Sequence, residues 1–109
     1  MTKPVTPATW GIYVWIGTHY FTVFYPDNPS YEHRKAAIQY FQALPWLLPG
    51  KVCADEFRAI LKSDPVEPHV ENRTKLALWF FEGHNRVNRR LGKRELSMKE
   101  FIDMYSNPD

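Results

Sequence analysis

His84-Asn85-Arg86-Val87-Asn88-Arg89-Arg90-Leu91-Gly92-Lys93 closes the longest helical pattern in the chain. On a helix, His84 and Asn88 are four residues apart and share a face, with Asn85 beside them. Val87 and Leu91 continue an apolar stripe begun by Leu76, Phe80 and Gly83. One helix therefore carries a core face and, next to it, a strip of hydrogen-bonding groups. Two readings of that strip stand open: the solvated side of an ordinary amphipathic helix, or one wall of a ligand pocket.

The same helix is expected to start near Asn72 and to stop at Leu91, because Gly92 suits a left-handed cap. Ser97-Met98-Lys99-Glu100 has capping-box spacing and opens a short fifth helix through Tyr105. Towards the N-terminus, Trp10 to Tyr25 is rich in strand formers (Ile12, Tyr13, Val14, Trp15, Ile16, Val23). It nevertheless runs too long without a turn for a strand, so it is read as a helix with Thr9 as N-cap. Trp15 and His19 then share a face with Gly11.

Tyr25-Pro26-Asp27-Asn28-Pro29 breaks the pattern, and Ser30 caps a second helix to about Leu44. Pro45 and Pro49 bracket an apolar corner, and a third helix runs from near Gly50 to Asp64-Pro65, ahead of a loop to His69. Residues 1–8, with Pro4 and Pro7, read as a loose arm, and 9–109 as one domain. The predicted fold is all-α: a four-helix bundle with a short fifth helix.

A chain of 109 residues supports one core. The net charge of +2 argues against a dedicated nucleic-acid binder, although bases cluster from Arg86 to Arg94. No apolar run is long enough to span a membrane and no signal-peptide pattern is present, so an intracellular, cytoplasmic protein is expected. Cys53 is the single cysteine, and the four histidines lack zinc-site spacing, so no metal is expected.

Cys53 falls one turn into the third helix, where the helix dipole favours a thiolate; the alternative is a small buried hydrophobe. His19 and His84 read either as core histidines or, with Asn85 and Asn88, as contacts to a planar polar ligand. The basic run from Arg86 to Arg94 reads either as a solvated end of the helix or, through Arg90 and Lys93, as cations that neutralise a diphosphate beside such a pocket.

Taken together, Trp10-Gly11, Trp15, His19 and Tyr25-Pro26, then Leu48-Pro49-x-x-x-Cys53, then His84-Asn85-x-Val87-Asn88-x-x-Leu91-Gly92-Lys93 form an ordered set. It resembles the Erv/ALR family of flavin-linked sulfhydryl oxidases from about Trp10 to Lys93, and the compactness is similar to that of short viral members. The resemblance implies a bundle with FAD at its mouth, usually in a homodimer, acting on protein dithiols with dioxygen as acceptor. It also implies host cytoplasm if the source is viral, and neither nucleic acid nor membrane as partner. Trp10, Gly11, Trp15 and His19 would line the flavin. His84, Asn85, Val87, Asn88 and Lys93 would hold its adenine, ribose and pyrophosphate side.

The family passes electrons through a Cys-x-x-Cys pair. Cys53 matches the flavin-proximal cysteine, whereas the exchange cysteine is replaced by Gly50. Thiol–disulfide exchange needs two sulfurs. Three origins are compatible with this departure: an altered position that stops turnover, a natural relative that lost the exchange cysteine, or a thiol supplied by a partner chain. The alternative in another class is a non-catalytic helical module that binds flavin or docks proteins.

Overall fold

Buried aromatic rings decide the architecture. Phe41, Phe57, Trp79 and Phe80 come from three different helices and meet in one core. The computed structural model describes residues 7–105, with side chains from Trp10 onward, and helices are the only regular elements among them. In order these are α1 (Pro7–Val23), α2 (Tyr31–Leu47), α3 (Lys51–Ser63), a 3-10 turn (Glu67–His69), α4 (Arg73–Arg90) and α5 (Met98–Tyr105). The all-α expectation holds. α1 packs chiefly on α4, α2 on α3, α3 on α4, and α5 returns across α1.

The helix starts follow from local chemistry. Ser30 Oγ accepts from His33 N at 3.1 Å and Asn72 Oδ1 from Lys75 N at 2.9 Å, each satisfying an otherwise unpaired first-turn amide. Ser97 and Glu100 form the reciprocal capping box, with both bonds at 3.1 Å. Gly92 takes φ 71°, and the amides of Gly92 and Lys93 return to the carbonyls of Arg89 and Asn88, a Schellman closure of α4.

Three boundaries differ from the sequence reading, and the first is the end of α1, at Val23 rather than Tyr25. α1 begins at Pro7 rather than Trp10, so Pro7 and Ala8 belong to it, in keeping with proline's fit in a first helical turn. The rest of the expected arm, residues 1–6, lies outside the described residues, as do 106–109 at the end of the expected domain. α2 does not stop at Leu44 but runs through Pro45 to Leu47. Pro45 is buried, and α3 secures this last turn from the side: the Arg58 guanidinium lies 4.4 Å from the centroid of the Trp46 ring. Tertiary packing there outweighs the usual penalty for an interior proline.

Candidate functional site

The site grows from the contact between α1 and α4. Trp15 stacks flat on His84, with centroids 3.9 Å apart and ring planes within 5°. One turn further along α1, His19 Nε2 lies 2.8 Å from His84 Nδ1. Stacking fixes the plane of the His84 imidazole, and the hydrogen bond fixes its rotation.

Around this pair is a cavity of about 330 Å³, within the range of small-ligand sites. α1 contributes Trp10, Gly11, Ile12, Trp15 and Ile16; α3 contributes Cys53; α4 contributes His84, Val87 and Asn88, and its C-cap is Leu91. Lys93, Arg94 and Leu96 follow α4, and Met104 and Tyr105 come from α5. The left-handed turn at Gly92 is what brings Lys93 to the rim.

Seven of the nine residues expected to hold a ligand thus share one cavity: Trp10, Gly11, Trp15, His84, Val87, Asn88 and Lys93. His19 and Asn85 do not line it. His19 is wholly buried behind His84, among Phe80, Phe101 and Tyr105. Asn85 turns to the chain itself: its Nδ2 donates to Leu96 O at 2.8 Å and its Oδ1 accepts from Leu96 N at 2.7 Å. That double bond holds the segment before α5 against α4.

Charge is arranged unevenly. Burial is the main force pushing His19 down to about 3, with His84 adding to it, and pushing His84 down to about 4, with Lys93 adding to it. Both rings are neutral at pH 7. For Cys53, burial raises the thiol's pKa and nearby Lys93 offsets this only in part, which favours the buried side chain over the thiolate. Being 5% exposed, Cys53 is also the small buried side chain of the alternative reading, but it faces the cavity. Arg90 takes the solvated alternative. It pairs with Glu56 of α3 at 3.0 Å instead of facing the cavity, and the second cation at the rim is Arg94, held by Glu100.

Against known proteins, the Erv1/Alr family model matches residues 12–106. The chain belongs to the Erv1/Alr family. A protein of invertebrate iridescent virus 3, named as an FAD-linked sulfhydryl oxidase, is 33% identical over 95% of this chain and 70% of its own length. The FAD-linked sulfhydryl oxidase of African swine fever virus (isolate Pig/Kenya/KEN-50/1950) is 29% identical over 88% of this chain and 79% of its own. The chain spans only 47% of the Arabidopsis thaliana relative ERV1, at 33% identity. The fold is that of the yeast Erv1 core, with a TM-score of 0.85 and 23% identity over 99% of this chain and 90% of that one.

Within this Erv1/Alr fold, Gly50 is the N-cap of α3, and a Cβ placed on it would stand 3.0 Å from Trp10 Cζ2. Trp10 therefore fills the space beside position 50 while its other side lines the cavity. Its indole Nε1–H is buried with no partner among the described residues, a costly state for a donor. Ile12, Ile16, Arg94, Leu96, Met104 and Tyr105 went unnoticed as cavity residues in the sequence. Ile12 and Ile16 had a signal, their spacing of four. Met104 and Tyr105 reach the site only because α5 folds back, which no local pattern encodes.

Proposed function

We propose that this chain binds FAD in the cavity between α1, α4 and α5 and serves the thiol–disulfide chemistry for which its relatives are named. The observation that carries the proposal is the joint lining of one cavity by Trp15, His84, Asn88, Lys93 and Cys53. The groups suit such a ligand: apolar side chains around a flat aromatic stack, an indole N–H in need of an acceptor, and two cations at the rim for a pyrophosphate. When bound, a flavin supplies two-electron acceptance from thiols and transfer to dioxygen, giving hydrogen peroxide.

The chain's own part would be to hold and to aim. Trp10 and Gly11 would cover the ring system, the stacked pair of Trp15 and His84 would form one wall with Val87 and Asn88, and Lys93 would stand at the anionic end. His19 and Asn85 would act behind this wall. Cys53 presents a protonated thiol, so attack by its sulfur begins with loss of a proton, which Lys93 favours electrostatically. Turnover on a dithiol needs a second sulfur, and the sequence has one cysteine. That absence favours one other reading, a flavin-holding module without turnover.

The exposed face of α1 supports a homodimer. Tyr13 and Phe21 are 76% and 60% exposed, with Gly17 between them and nothing within 4 Å of where its Cβ would be. No helix among the described residues is long and apolar enough to cross a membrane. The deciding test is the visible absorption spectrum of the purified protein. Flavin bands that survive gel filtration are expected, and a colourless protein that refuses added FAD would refute the proposal.

A further inference from the structure

His19 is among the most deeply buried polar side chains described, with none of its surface exposed, and it does not touch the cavity. Phe80 meets its ring edge-on at 4.7 Å, Tyr105 stacks on it at 4.6 Å, and Phe101 lies at 5.3 Å. Its one hydrogen bond joins Nε2 to His84 Nδ1, and its Nδ1 has no partner among the described residues. A chain that needed only bulk here would place an apolar residue in this box. An imidazole kept in it is there for its single bond.

Two proton arrangements make that bond. In the first, His19 carries its proton on Nε2 and donates; His84 accepts at Nδ1 and, being neutral, carries its own proton on Nε2. In the second, His84 donates from Nδ1, and His19 must carry its proton on Nδ1, where nothing receives it. The first leaves a bare lone pair in the apolar box and the second leaves an N–H. Orphaned buried N–H groups are the rarer of the two in folded proteins, which selects the first. Burial holds both rings neutral at pH 7, so a doubly protonated ring does not offer a third arrangement.

We propose that His19 is a positioning residue that holds His84 as the Nε2–H tautomer, so that His84 offers the cavity a hydrogen-bond donor and selects an acceptor group on the ligand. The acceptor is an oxygen or an unprotonated ring nitrogen. Trp15 fixes the plane of the His84 ring and His19 fixes its protonation, so two residues of α1 determine what one residue of α4 displays. The ligand half of this inference rests on the flavin reading above; the tautomer half does not.

The test is a long-range proton–nitrogen NMR correlation on ¹⁵N-histidine-labelled protein as purified, with flavin content read from the visible spectrum of the same sample. Both His19 and His84 are expected with the proton on Nε2. A proton on Nδ1 of His84, or rapid mixing of its two tautomers, overturns the proposal. His19→Phe keeps the ring and removes the donor. It should leave His84 mixing tautomers and weaken FAD binding roughly three- to tenfold, the range of one hydrogen bond. His19→Gln puts an N–H near the same point and should recover affinity to within about twofold. Recovery by Gln is an outcome that mere space-filling cannot produce, and a Gln variant as weak as Phe overturns the proposal. Should His19→Phe not fold, the parent spectrum and the Gln variant still decide. A colourless protein with His84 protonated on Nε2 would support the tautomer and sink the flavin reading; a yellow one with His84 protonated on Nδ1 would do the reverse.

Discussion

The two sides of the cavity are built to different standards. The α1–α4 side has a stacked ring pair, a buried histidine behind it, a capped helix end that delivers Lys93, and a side-chain amide clamping the next segment. The α3 side has one buried thiol, and a glycine at its N-cap where the proposed reading would need a second sulfur. On the proposed reading, holding a ligand and turning over a substrate would rest on different helices, the first on groups of this chain and the second on a sulfur from elsewhere.

The largest effect should come from supplying that sulfur. Gly50→Cys is expected to raise dioxygen-dependent oxidation of dithiothreitol on the order of a hundredfold or more above the parent, the scale for restoring an obligatory reacting group. Trp10 must yield a few tenths of an ångström to admit the new Cβ. A variant that binds flavin but consumes no oxygen would show that the α3 side lacks more than one atom.

Next comes the pH dependence of stability, where opposite limbs report opposite sides. His19 and His84 titrate from 6.5 down to about 3 and about 4 in the folded chain. Below pH 6.5 the unfolded chain therefore binds more protons. Their contribution is complete above 6.5, declines as pH falls, and levels off near the folded values. The slope is at most about 1.4 kcal/mol per pH unit per histidine. Cys53 has the opposite sign. Its folded pKa is raised from 9.0, so its contribution is complete below 9 and is lost as pH climbs, with Tyr25 and Tyr105 adding similar losses from 10.0 upward. Urea midpoints from pH 4.5 to 10 would trace both limbs, and Cys53→Ala should flatten only the alkaline one.

A smaller effect is expected from Asn85→Ala, which strands the N–H and C=O of Leu96 at about 1–3 kcal/mol. Urea unfolding would give the loss, and faster hydrogen exchange at the Leu96 amide would locate it. Smallest is Glu100. Arg94 above all, and Ser97 after it, lower its carboxyl to about 2, yet the side chain keeps more than a third of its surface in solvent. The contribution of the cap is present above about 4.5 and fades towards 2, and Glu100→Gln should fray the first turn of α5 while leaving global unfolding nearly unchanged. Amide exchange along α5 would measure it.

Helix positions were legible wherever side chains signal locally. Ser30, Asn72 and Ser97 mark starts and Gly92 marks a stop, and all four do so in the structure. α1 was harder. It buries Thr18, His19 and Thr22 beside Val23 while exposing Ile12, Tyr13 and Phe21, so apolar side chains lie on both faces and the stripe is blurred. Pro45 misled because its burial, not its propensity, decides the path of α2. In the site, side chains facing the cavity were found through the family pattern. The roles of His19 and Asn85 were not, because each is set by a partner 65 or 11 residues away.

Asn85 has one consequence for how this chain can vary. Its amide reads only the main chain of residue 96, never the side chain. Substitutions between Gly92 and Ser97 other than proline at residue 96 therefore leave the clamp its partners, whereas inserting or deleting a single residue there is expected to shift the register of the turn and draw Met104 and Tyr105 off the cavity. The connection to α5 is tolerant in composition and strict in length, a join specified by count.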